Sequence, residues 1–316
     1  MAILARSGVL AGVSVRDPYP LLGRTAVVTG VSRRVGIGHA VACRLAAFGA
    51  NVVCHHHSPH DAEQPWGGDD VAAVVDSVRS RLVAGARVME VSGDLTDPGA
   101  PEAIVDRAAA EFGAVDVLVC NQALSGSDGP LGALTAADLD RHFAVNARTS
   151  ILLAQGFSAR HVPGRPGSIV FLTSGQHLGP MPGEIAYAAA KAALAGVTVT
   201  VADQLADVGI RVNTVNPGPT DTGYLSPADR AAVAARFPTG RIGSPDDAAR
   251  LIAWLCTDDA AWITGQVIDS EGGSVDNRRQ PATATNSLGV TSRVRGGDDV
   301  RRSSDRGRGR CSWRAR

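Results

Sequence analysis

The chain has 316 residues, of which 44% are hydrophobic and 20% are charged, and its formal net charge at pH 7 is zero. It is long enough to bury one large core or two smaller ones. Its five cysteines are odd in number and include no CxxC pair, and it lacks an uninterrupted run of about eighteen apolar residues, so a disulfide framework and a membrane span are both disfavoured.

The two ends of the chain differ in composition from its middle. Residues 278–316 contain eleven arginines and three aspartates, which gives this segment a net charge near +8 and leaves the rest near −8. Because the segment is poor in apolar residues, we expect an Arg-rich disordered tail, with binding to nucleic acid or acidic lipid as the disfavoured alternative. Residues 1–20 lack the order of a signal peptide and are expected to form a flexible arm. The folded domain is then 21–277, and its reduced thiols indicate a cytoplasmic protein.

Between these ends, short apolar runs alternate with helical stretches. Four helical stretches are each followed by a glycine and a further apolar run, at Gly49, Gly85, Gly113 and Gly209. Glycine accepts the left-handed conformation that follows many helix ends, so these junctions indicate repeated βα units. The sequence therefore predicts one doubly wound (Rossmann) α/β domain whose mostly parallel sheet of about seven strands is flanked by helices. We predict strands at 25–29, 51–54, 87–91, 116–120, 168–173, 210–215 and 266–269, and helices at 38–48, 69–84, 98–112, 135–160, 185–207 and 245–257.

The turn after the first predicted strand is rich in glycine. Residues 29–38 read TGVSRRVGIG, a G-x5-G-x-G spacing that leads into the first helix. Backbone N–H groups and a helix N-terminus at this place can hold a pyrophosphate, although any tight βα turn also uses glycine.

The stretch 174–191 carries the residues with the most distinctive chemistry. Lys191 is the only lysine in the chain, and on a helix it lies one turn after Tyr187, on the same face. A nearby ammonium favours the phenolate, so we expect Lys191 to lower the pKa of Tyr187 toward neutrality. Ser174 ends an apolar strand, at the sheet edge where α/β proteins bind ligands. The alternative is that this Tyr-x-x-x-Lys spacing occurs by chance.

Taken together and in order, these residues resemble the short-chain dehydrogenase/reductase family, and within it the branch of 3-oxoacyl-carrier-protein reductases. The resemblance runs from about residue 21 to 277. It includes the glycine turn, Asp94 and Leu95 after the third strand, Asn121 after the fourth, Asn146 in the following helix, Ser174, Tyr187 with Lys191, and the segments 216–222 and 270–273.

The resemblance implies an NAD(P)(H)-dependent oxidoreductase that transfers a hydride between nicotinamide and a small-molecule carbonyl or secondary alcohol. It implies that Tyr187 acts as general acid/base, that Ser174 holds the carbonyl oxygen, that Lys191 lowers the Tyr187 pKa and binds the nicotinamide ribose, and that Asn146 positions a water. The cofactor-binding residues that it implies are Gly30, Ser32, Arg33, Arg34, Gly36, Ile37, Gly38, His55, Asp94, Leu95, Asn121, Tyr187, Lys191, Pro217, Gly218, Thr220 and Thr222. Relatives are commonly homodimers or homotetramers built on two long helices, so such an assembly is expected by analogy.

Two motifs depart from the family pattern. The glycine turn is two residues longer than the common TGxxxGxG and contains Arg33 and Arg34. The motif after the fourth strand, usually NNAG, retains only Asn121 because Gln122 follows it. The longer turn is either a simple insertion or a means for an arginine to reach a phosphate.

The end of the second predicted strand bears on the choice of cofactor. NAD-preferring folds commonly place an acid there, whereas this chain has His55, His56 and His57, with no carboxylate until Asp61. With two arginines nearby, a 2′-phosphate is better tolerated, so NADP(H) is the expected cofactor and NAD(H) the alternative. Three adjacent histidines of one strand cannot all face one ion, so we expect no metal site and a solvated loop instead.

Several further residues and functions stay open at this point. Trp66 either caps the adenosine or packs in its loop, His177 and Glu184 either touch substrate or belong to a loop, and residues 224–240 are a candidate lid. Alternative functions are an NAD-linked alcohol or sugar dehydrogenase and a non-catalytic dinucleotide-sensing protein. An enoyl reductase is disfavoured because that relative spaces its Tyr and Lys more widely.

Overall fold

The computed structural model describes residues 17–273. The predicted disordered tail and most of the predicted N-terminal arm lie outside the described residues.

Seven parallel strands form a single sheet. Its order is β3-β2-β1-β4-β5-β6-β7, and the strands are β1 Thr25–Val28, β2 Asn51–His56, β3 Val88–Ser92, β4 Val117–Cys120, β5 Gly167–Leu172, β6 Ile210–Asn216 and β7 Val267–Asp269. The chain reverses its direction of travel across the sheet between β3 and β4, so β1 and β4 are neighbours at the switch point. The predicted doubly wound sheet is confirmed, and every pairing in it is parallel.

Helices cover both faces of the sheet. They are α1 Ile37–Ala47, α2 Ser58–Glu63, α3 Val71–Arg79, α4 Ala100–Phe112, α5 Ala136–Phe143, α6 Thr149–Ala159, α7 Ile185–Ala206, α8 Pro227–Ala234 and α9 Pro245–Leu255. One apolar core lies between the sheet and α1, α3 and α9, and the other lies between the sheet and α4, α6 and α7. The central strands are continuous apolar runs because successive residues, such as Val27 and Val28, point to opposite faces of the sheet and enter different cores.

The four glycine junctions have the predicted conformation. Gly49, Gly85, Gly113 and Gly209 all have positive φ angles, between 78° and 96°. At Gly49, Gly113 and Gly209 this left-handed geometry turns the chain from the end of a helix back toward the sheet at low steric cost. Gly85 does not end a helix as predicted, because α3 already ends at Arg79 and Gly85 lies in the turn before β3.

Four segments differ from the predicted elements. The predicted helix 69–84 ends at Arg79. The predicted helix 135–160 is interrupted by a π-helical turn, Ala144–Arg148, between α5 and α6. The segment after β2 contains the short helix α2, with Pro59 in its first turn. Proline is tolerated there because the backbone N–H groups of the first turn have no partner within the helix. The candidate lid contains α8, which Ser226 caps through a hydrogen bond from the Asp229 backbone N–H.

By length and composition, α7 is the one helix of the described part of the chain that could cross a membrane, with a mean hydropathy of 1.6. A buried helix in the core of a protein that crosses no membrane can have the same length and hydropathy. Leu194 and Ala202 of α7 pack into the core beside β5 and β6, so its apolar composition has an explanation within the fold.

Candidate active site

A long cleft of about 1050 Å³ opens at the carboxyl ends of the strands. The turns after β1, β2, β4, β5 and β6 line it, as does Glu271 after β7. A cleft at this edge and switch point is the usual ligand site of an open parallel α/β sheet.

The glycine turn after β1 is packed tightly against the turn after β4. Asn121 Nδ2 donates to the carbonyl oxygens of Thr29 and Gly30, at 2.9 and 3.1 Å. A Cβ at Gly38 would lie 2.4 Å from the Gly30 carbonyl oxygen, and a Cβ at Gly30 would lie 2.8 Å from Asn121 Nδ2. Glycine is therefore required at both positions, and the backbone itself forms this wall of the cleft.

Helix α1 begins at the cleft without a side-chain cap. Its N-cap residue is Gly36, and its first turn contains no acidic residue. The first N–H groups and the positive end of the helix dipole are therefore free to receive an anion. Together with the volume of the cleft and the glycine wall, this arrangement fits the pyrophosphate of a dinucleotide.

Ser174, Tyr187 and Lys191 come together at the end of β5. Ser174 and Tyr187 both line the cleft, and the Ser174 hydroxyl is near enough to the Tyr187 phenol to act on its pKa. Lys191 lies behind this wall with 2% of its surface exposed. Its Nζ is 5.7 Å from the centroid of the Tyr187 ring and donates to the Leu172 carbonyl oxygen at 2.9 Å.

Burial has the largest effect on the pKa values of Tyr187 and Lys191. It raises the pKa of Tyr187 to about 12, although the Ser174 hydroxyl acts in the lowering direction. It also lowers the pKa of Lys191 to about 8. The expected lowering of the Tyr187 pKa is therefore not the net effect in this structure, because desolvation of the phenolate outweighs the effect of Ser174, and Glu184 and Tyr224 also act in the raising direction.

Asn146 lies on the π-helical turn, which packs against α7. Its Oδ1 accepts from the Leu124 backbone N–H at 2.7 Å, and its Nδ2 donates to the Leu124 carbonyl oxygen at 3.1 Å. One turn earlier, the fully buried His142 bonds through Nε2 to the Gly126 carbonyl oxygen at 3.0 Å. Both side chains thus hold the loop that follows β4, which forms part of the cleft wall.

The histidine run is not the solvated loop that the sequence predicted. His55 belongs to β2 and is 1% exposed. Its Nε2 bonds to the Gly93 carbonyl oxygen at 3.0 Å, and the Gly30 N–H donates to its Nδ1 at 3.4 Å. Burial lowers the pKa of His55 to about 4, so the ring is neutral and ties the glycine turn to β2 and β3.

The two arginines of the glycine turn have different surroundings. Arg33 lines the cleft, where its Nη2 donates to the Thr222 carbonyl oxygen at 2.7 Å and its Nε lies 3.6 Å from Asp61 Oδ1. Its guanidinium also lies over the Trp66 ring, 5.6 Å from the centroid. Arg34 forms a bidentate ion pair with Asp69 and lies outside the cleft lining.

The predicted site residues fall into two groups, those that line the cleft and those that do not. Those that line the cleft are Gly30, Ser32, Arg33, Gly36, Ile37, His55, Asp94, Leu95, Asn121, Ser174, Tyr187, Pro217, Gly218, Thr220 and Thr222. Those that lie behind or beside it are Arg34, Gly38, Asn146 and Lys191. Trp66 and Glu184 also line the cleft, whereas His177 lies outside the lining and contacts Asp269 at 3.0 Å.

Gln122 and Asp128 are two polar residues of the site that sequence reasoning missed. Gln122 Nε2 donates to Ser150 Oγ at 2.9 Å, and its Oε1 accepts from the Thr29 hydroxyl, so it links β1 to α6. Asp128 binds the first turn of α7. The departure from NNAG marked Gln122 as unusual, but no local pattern marks Asp128.

Comparisons with known proteins agree with this geometry. The family described as enoyl-(acyl carrier protein) reductase matches residues 30–274. The uncharacterized oxidoreductase YjdA of Bacillus subtilis (strain 168) is 40% identical over 254 residues, which are 80% of this chain and 97% of the relative. The 3-oxoacyl-[acyl-carrier-protein] reductase FabG of Escherichia coli (strain K12) is 34% identical over 79% of this chain and 97% of its own length.

A solved structure extends the likeness to a cofactor complex. A short chain dehydrogenase from Burkholderia cenocepacia J2315 in complex with NADP is 36% identical, with a TM-score of 0.70 over 81% of this chain and 99% of that structure. The chain therefore belongs to the short-chain dehydrogenase/reductase family and is an NAD(P)-dependent oxidoreductase that acts on CH–OH and C=O groups.

Proposed function

We propose that this enzyme interconverts a carbonyl and a secondary alcohol on a small molecule, with Tyr187 as general acid/base and NADP(H) as its preferred cofactor. The observation that carries the proposal is the group at the end of β5. Tyr187 and Ser174 line the cleft together, and the only lysine of the chain is buried behind them, with its Nζ 5.7 Å from the centroid of the Tyr187 ring.

In the reducing direction, the Tyr187 phenol donates its proton to the substrate oxygen while Ser174 donates a hydrogen bond to the same oxygen. Bound NADPH supplies the hydride. Proton donation leaves a phenolate close to the Lys191 ammonium, which carries no carboxylate partner among the ion pairs of residues 17–273. A buried, unpaired ammonium stabilises that phenolate strongly, since little water screens the two charges.

Asn146 has a supporting role in this proposal. The π-helical turn that carries it packs against α7, the helix that carries Tyr187 and Lys191. We assign to it the water through which the proton of Tyr187 is replaced. π-helical turns are frequent at functional sites, where they set a side chain out of helical register.

The residues of the cleft fit a dinucleotide in the following way. The glycine turn and the first N–H groups of α1 would hold the pyrophosphate, and Asp94 with Leu95 would meet the adenine edge. Asn121 and the segment from Pro217 to Thr222 would line the nicotinamide half. Lys191 would bind the nicotinamide ribose.

The preference for NADP(H) rests on the arginine near the end of β2. Arg33 lines this part of the cleft, and His55 occupies the position where an acid would bind a ribose 2′-hydroxyl. Asp61, one of the carboxylates that line the cleft, lies against Arg33. Arginine binds phosphate through charge-assisted hydrogen bonds, so a 2′-phosphate is favoured at this place.

The test is Tyr187→Phe, which removes the phenol oxygen and keeps the ring. We expect turnover to fall by about 100- to 10,000-fold, the usual contribution of a general acid, while the dissociation constant for NADPH stays within about threefold. The matched control is Tyr19→Phe, because Tyr19 is an exposed tyrosine away from the cleft. Equal loss of turnover and of NADPH binding would identify Tyr187 as a structural residue instead.

The alternatives predict different results in the same measurements. An NAD-linked alcohol or sugar dehydrogenase binds NADH more tightly than NADPH and oxidises polyols. A dinucleotide-sensing protein binds the cofactor but turns over no ketone, acyl thioester or sugar in a substrate screen. An enoyl reductase consumes NADPH with an α,β-unsaturated thioester and leaves 3-oxo compounds unchanged.

We further propose a cytoplasmic homodimer or homotetramer. The outer faces of α5 and α7 expose the apolar side chains of Leu139, Phe143 and Val199, which a second copy of the chain would cover. Light scattering of the purified protein tests this assembly, and a monomer at micromolar concentration contradicts it.

A further inference from the structure

The helix that carries Tyr187 and Lys191 does not cap its own N-terminus. Its N-cap residue is Glu184, which has φ −135° and ψ 46° and makes no side-chain capping bond. Many helices satisfy one of their first N–H groups with the N-cap side chain, as Ser226 and Ser244 do for α8 and α9. The N-terminal end of α7 is therefore held by a residue from elsewhere in the chain.

That residue is Asp128, from the loop that follows β4. Its Oδ1 accepts from the Ala186 N–H at 3.0 Å, and its Oδ2 accepts from the N–H of Tyr187 itself at 2.8 Å. Oδ1 also accepts from the Gly129 N–H at 2.8 Å. Both carboxylate oxygens are thus engaged, and they fix the backbone of Tyr187 directly.

The loop that presents Asp128 is itself held in a defined shape. Ser127 has φ +51°, and among residues 17–273 it is the one non-glycine residue with positive φ. Such a conformation persists only where surrounding contacts impose it. The contacts here are the bonds from His142 to the Gly126 carbonyl oxygen and from Asn146 to both backbone groups of Leu124.

We infer that Asp128 is a positioning residue, which sets the start of α7 so that the Tyr187 phenol meets Ser174 and the substrate oxygen. This inference rests on the function proposed above. It adds a chain of contacts in which His142 and Asn146 shape the loop, the loop aims Asp128, and Asp128 fixes Tyr187.

Charge and ring contacts support the same assignment. Although desolvation acts in the raising direction, the N–H bonds from Tyr187, Ala186 and Gly129 bring the pKa of Asp128 below its usual value. The carboxylate is therefore ionised at neutral pH, and a negative charge is favourable at a helix N-terminus. His142 also contacts the edge of the Tyr187 ring, with centroids 6.4 Å apart, so the phenol is fixed at its backbone and at its ring.

The test is Asp128→Asn, which keeps the size of the side chain but replaces one acceptor oxygen with an NH2 group that faces a backbone N–H. We expect kcat to fall by about 10- to 100-fold, the effect of a displacement of about 1 Å at a reacting group, and the NADPH dissociation constant to stay within about twofold. We also expect a change in the pH dependence of alcohol oxidation, whose rate increases with pH as Tyr187 loses its proton. The pH at the midpoint of this increase should be higher in the variant, because the Ser174 contact that lowers the Tyr187 pKa is weakened. A defect of stability alone does not move this midpoint.

Asp70→Asn is the matched control, since Asp70 caps α3 by accepting from the Ala72 N–H at 3.0 Å, away from the cleft. This variant should lose stability but keep the kcat and the pH midpoint of the unmodified enzyme. If Asp128→Asn does not fold, Asp128→Glu keeps both oxygens and the charge, and it should show a smaller loss of kcat with the midpoint still raised.

An unchanged kcat and midpoint in the Asp128 variant that folds overturns the inference, as does a parallel loss of kcat and NADPH affinity. The proposed function fails separately, if Tyr187→Phe keeps its turnover. Loss of turnover in Tyr187→Phe together with an unaltered Asp128→Asn enzyme contradicts the positioning role alone.

Discussion

The pair formed by Arg33 and Asp61 should set the choice between NADPH and NADH. Arg33→Ala removes an arginine that lines the cleft, and Asp61→Asn removes the carboxylate 3.6 Å from its Nε. The two substitutions should shift cofactor preference in opposite directions. Arg33→Ala weakens NADPH binding relative to NADH binding, and Asp61→Asn strengthens it.

The expected size follows from the burial of the pair. The side chains of Arg33 and Asp61 are only 14% and 12% exposed, so water screens them less than an ordinary surface pair. A hydrogen bond to a charged group is worth about 1.5–3 kcal/mol. Because Asp61 competes with a phosphate for the guanidinium, we take the lower end, roughly a tenfold loss of NADPH affinity in Arg33→Ala. Asp61→Asn should give a gain of about 1 kcal/mol, or roughly fivefold.

The assay is titration of protein fluorescence with NADPH and with NADH, at low and at high salt. NADH serves as the internal control, since Arg33 also bonds to Thr222 and stacks on Trp66, and the loss of those contacts affects both cofactors. The NADPH preference should shrink as salt increases. Equal losses of NADPH and NADH affinity in Arg33→Ala would refute the reasoning and show that Arg33 only supports the loops.

Two further predictions concern stability. Gly218→Ala should lower the free energy of unfolding by about 2 kcal/mol or more, because Gly218 has φ +65° and a Cβ there would lie 2.4 Å from Glu271 Cβ. Stability should also fall by up to about 3 kcal/mol between pH 6.5 and 4, because His55, with a folded pKa of about 4, stays neutral while the unfolded chain takes up a proton. His55→Asn should reduce this pH dependence. Both are measured by urea unfolding.

Gly240→Ala provides the control for the first of these predictions. Gly240 has φ +66° but open space around its Cβ position, so it isolates the cost of the backbone conformation. A Gly218 variant no less stable than the Gly240 variant would show that the loop moves away from Glu271 freely. An equal slope of stability with pH in His55→Asn and in the unmodified protein would mean that carboxylates account for all of it.

The order of strands and helices was predictable because local patterns encode it. Apolar runs such as those of β1 and β4 are buried on both faces of a parallel sheet. The glycines after α1, α4 and α7 adopt a left-handed conformation that depends on the local chain and not on distant contacts. The motif residues Ser174, Tyr187 and Lys191 were identifiable from spacing and from the rarity of lysine. Their convergence at one edge follows from the parallel sheet.

The details of the site depended on contacts between residues far apart in the chain. Asp128 reaches Tyr187 across 59 positions, and Arg34 pairs with Asp69 rather than lining the cleft. His55 is neutral and the Tyr187 pKa is raised because both groups are desolvated. The sequence by itself thus determined which elements form and which residues carry the chemistry, whereas only the tertiary structure decided their partners and proton affinities, because burial and long-range pairing are properties of the packed molecule.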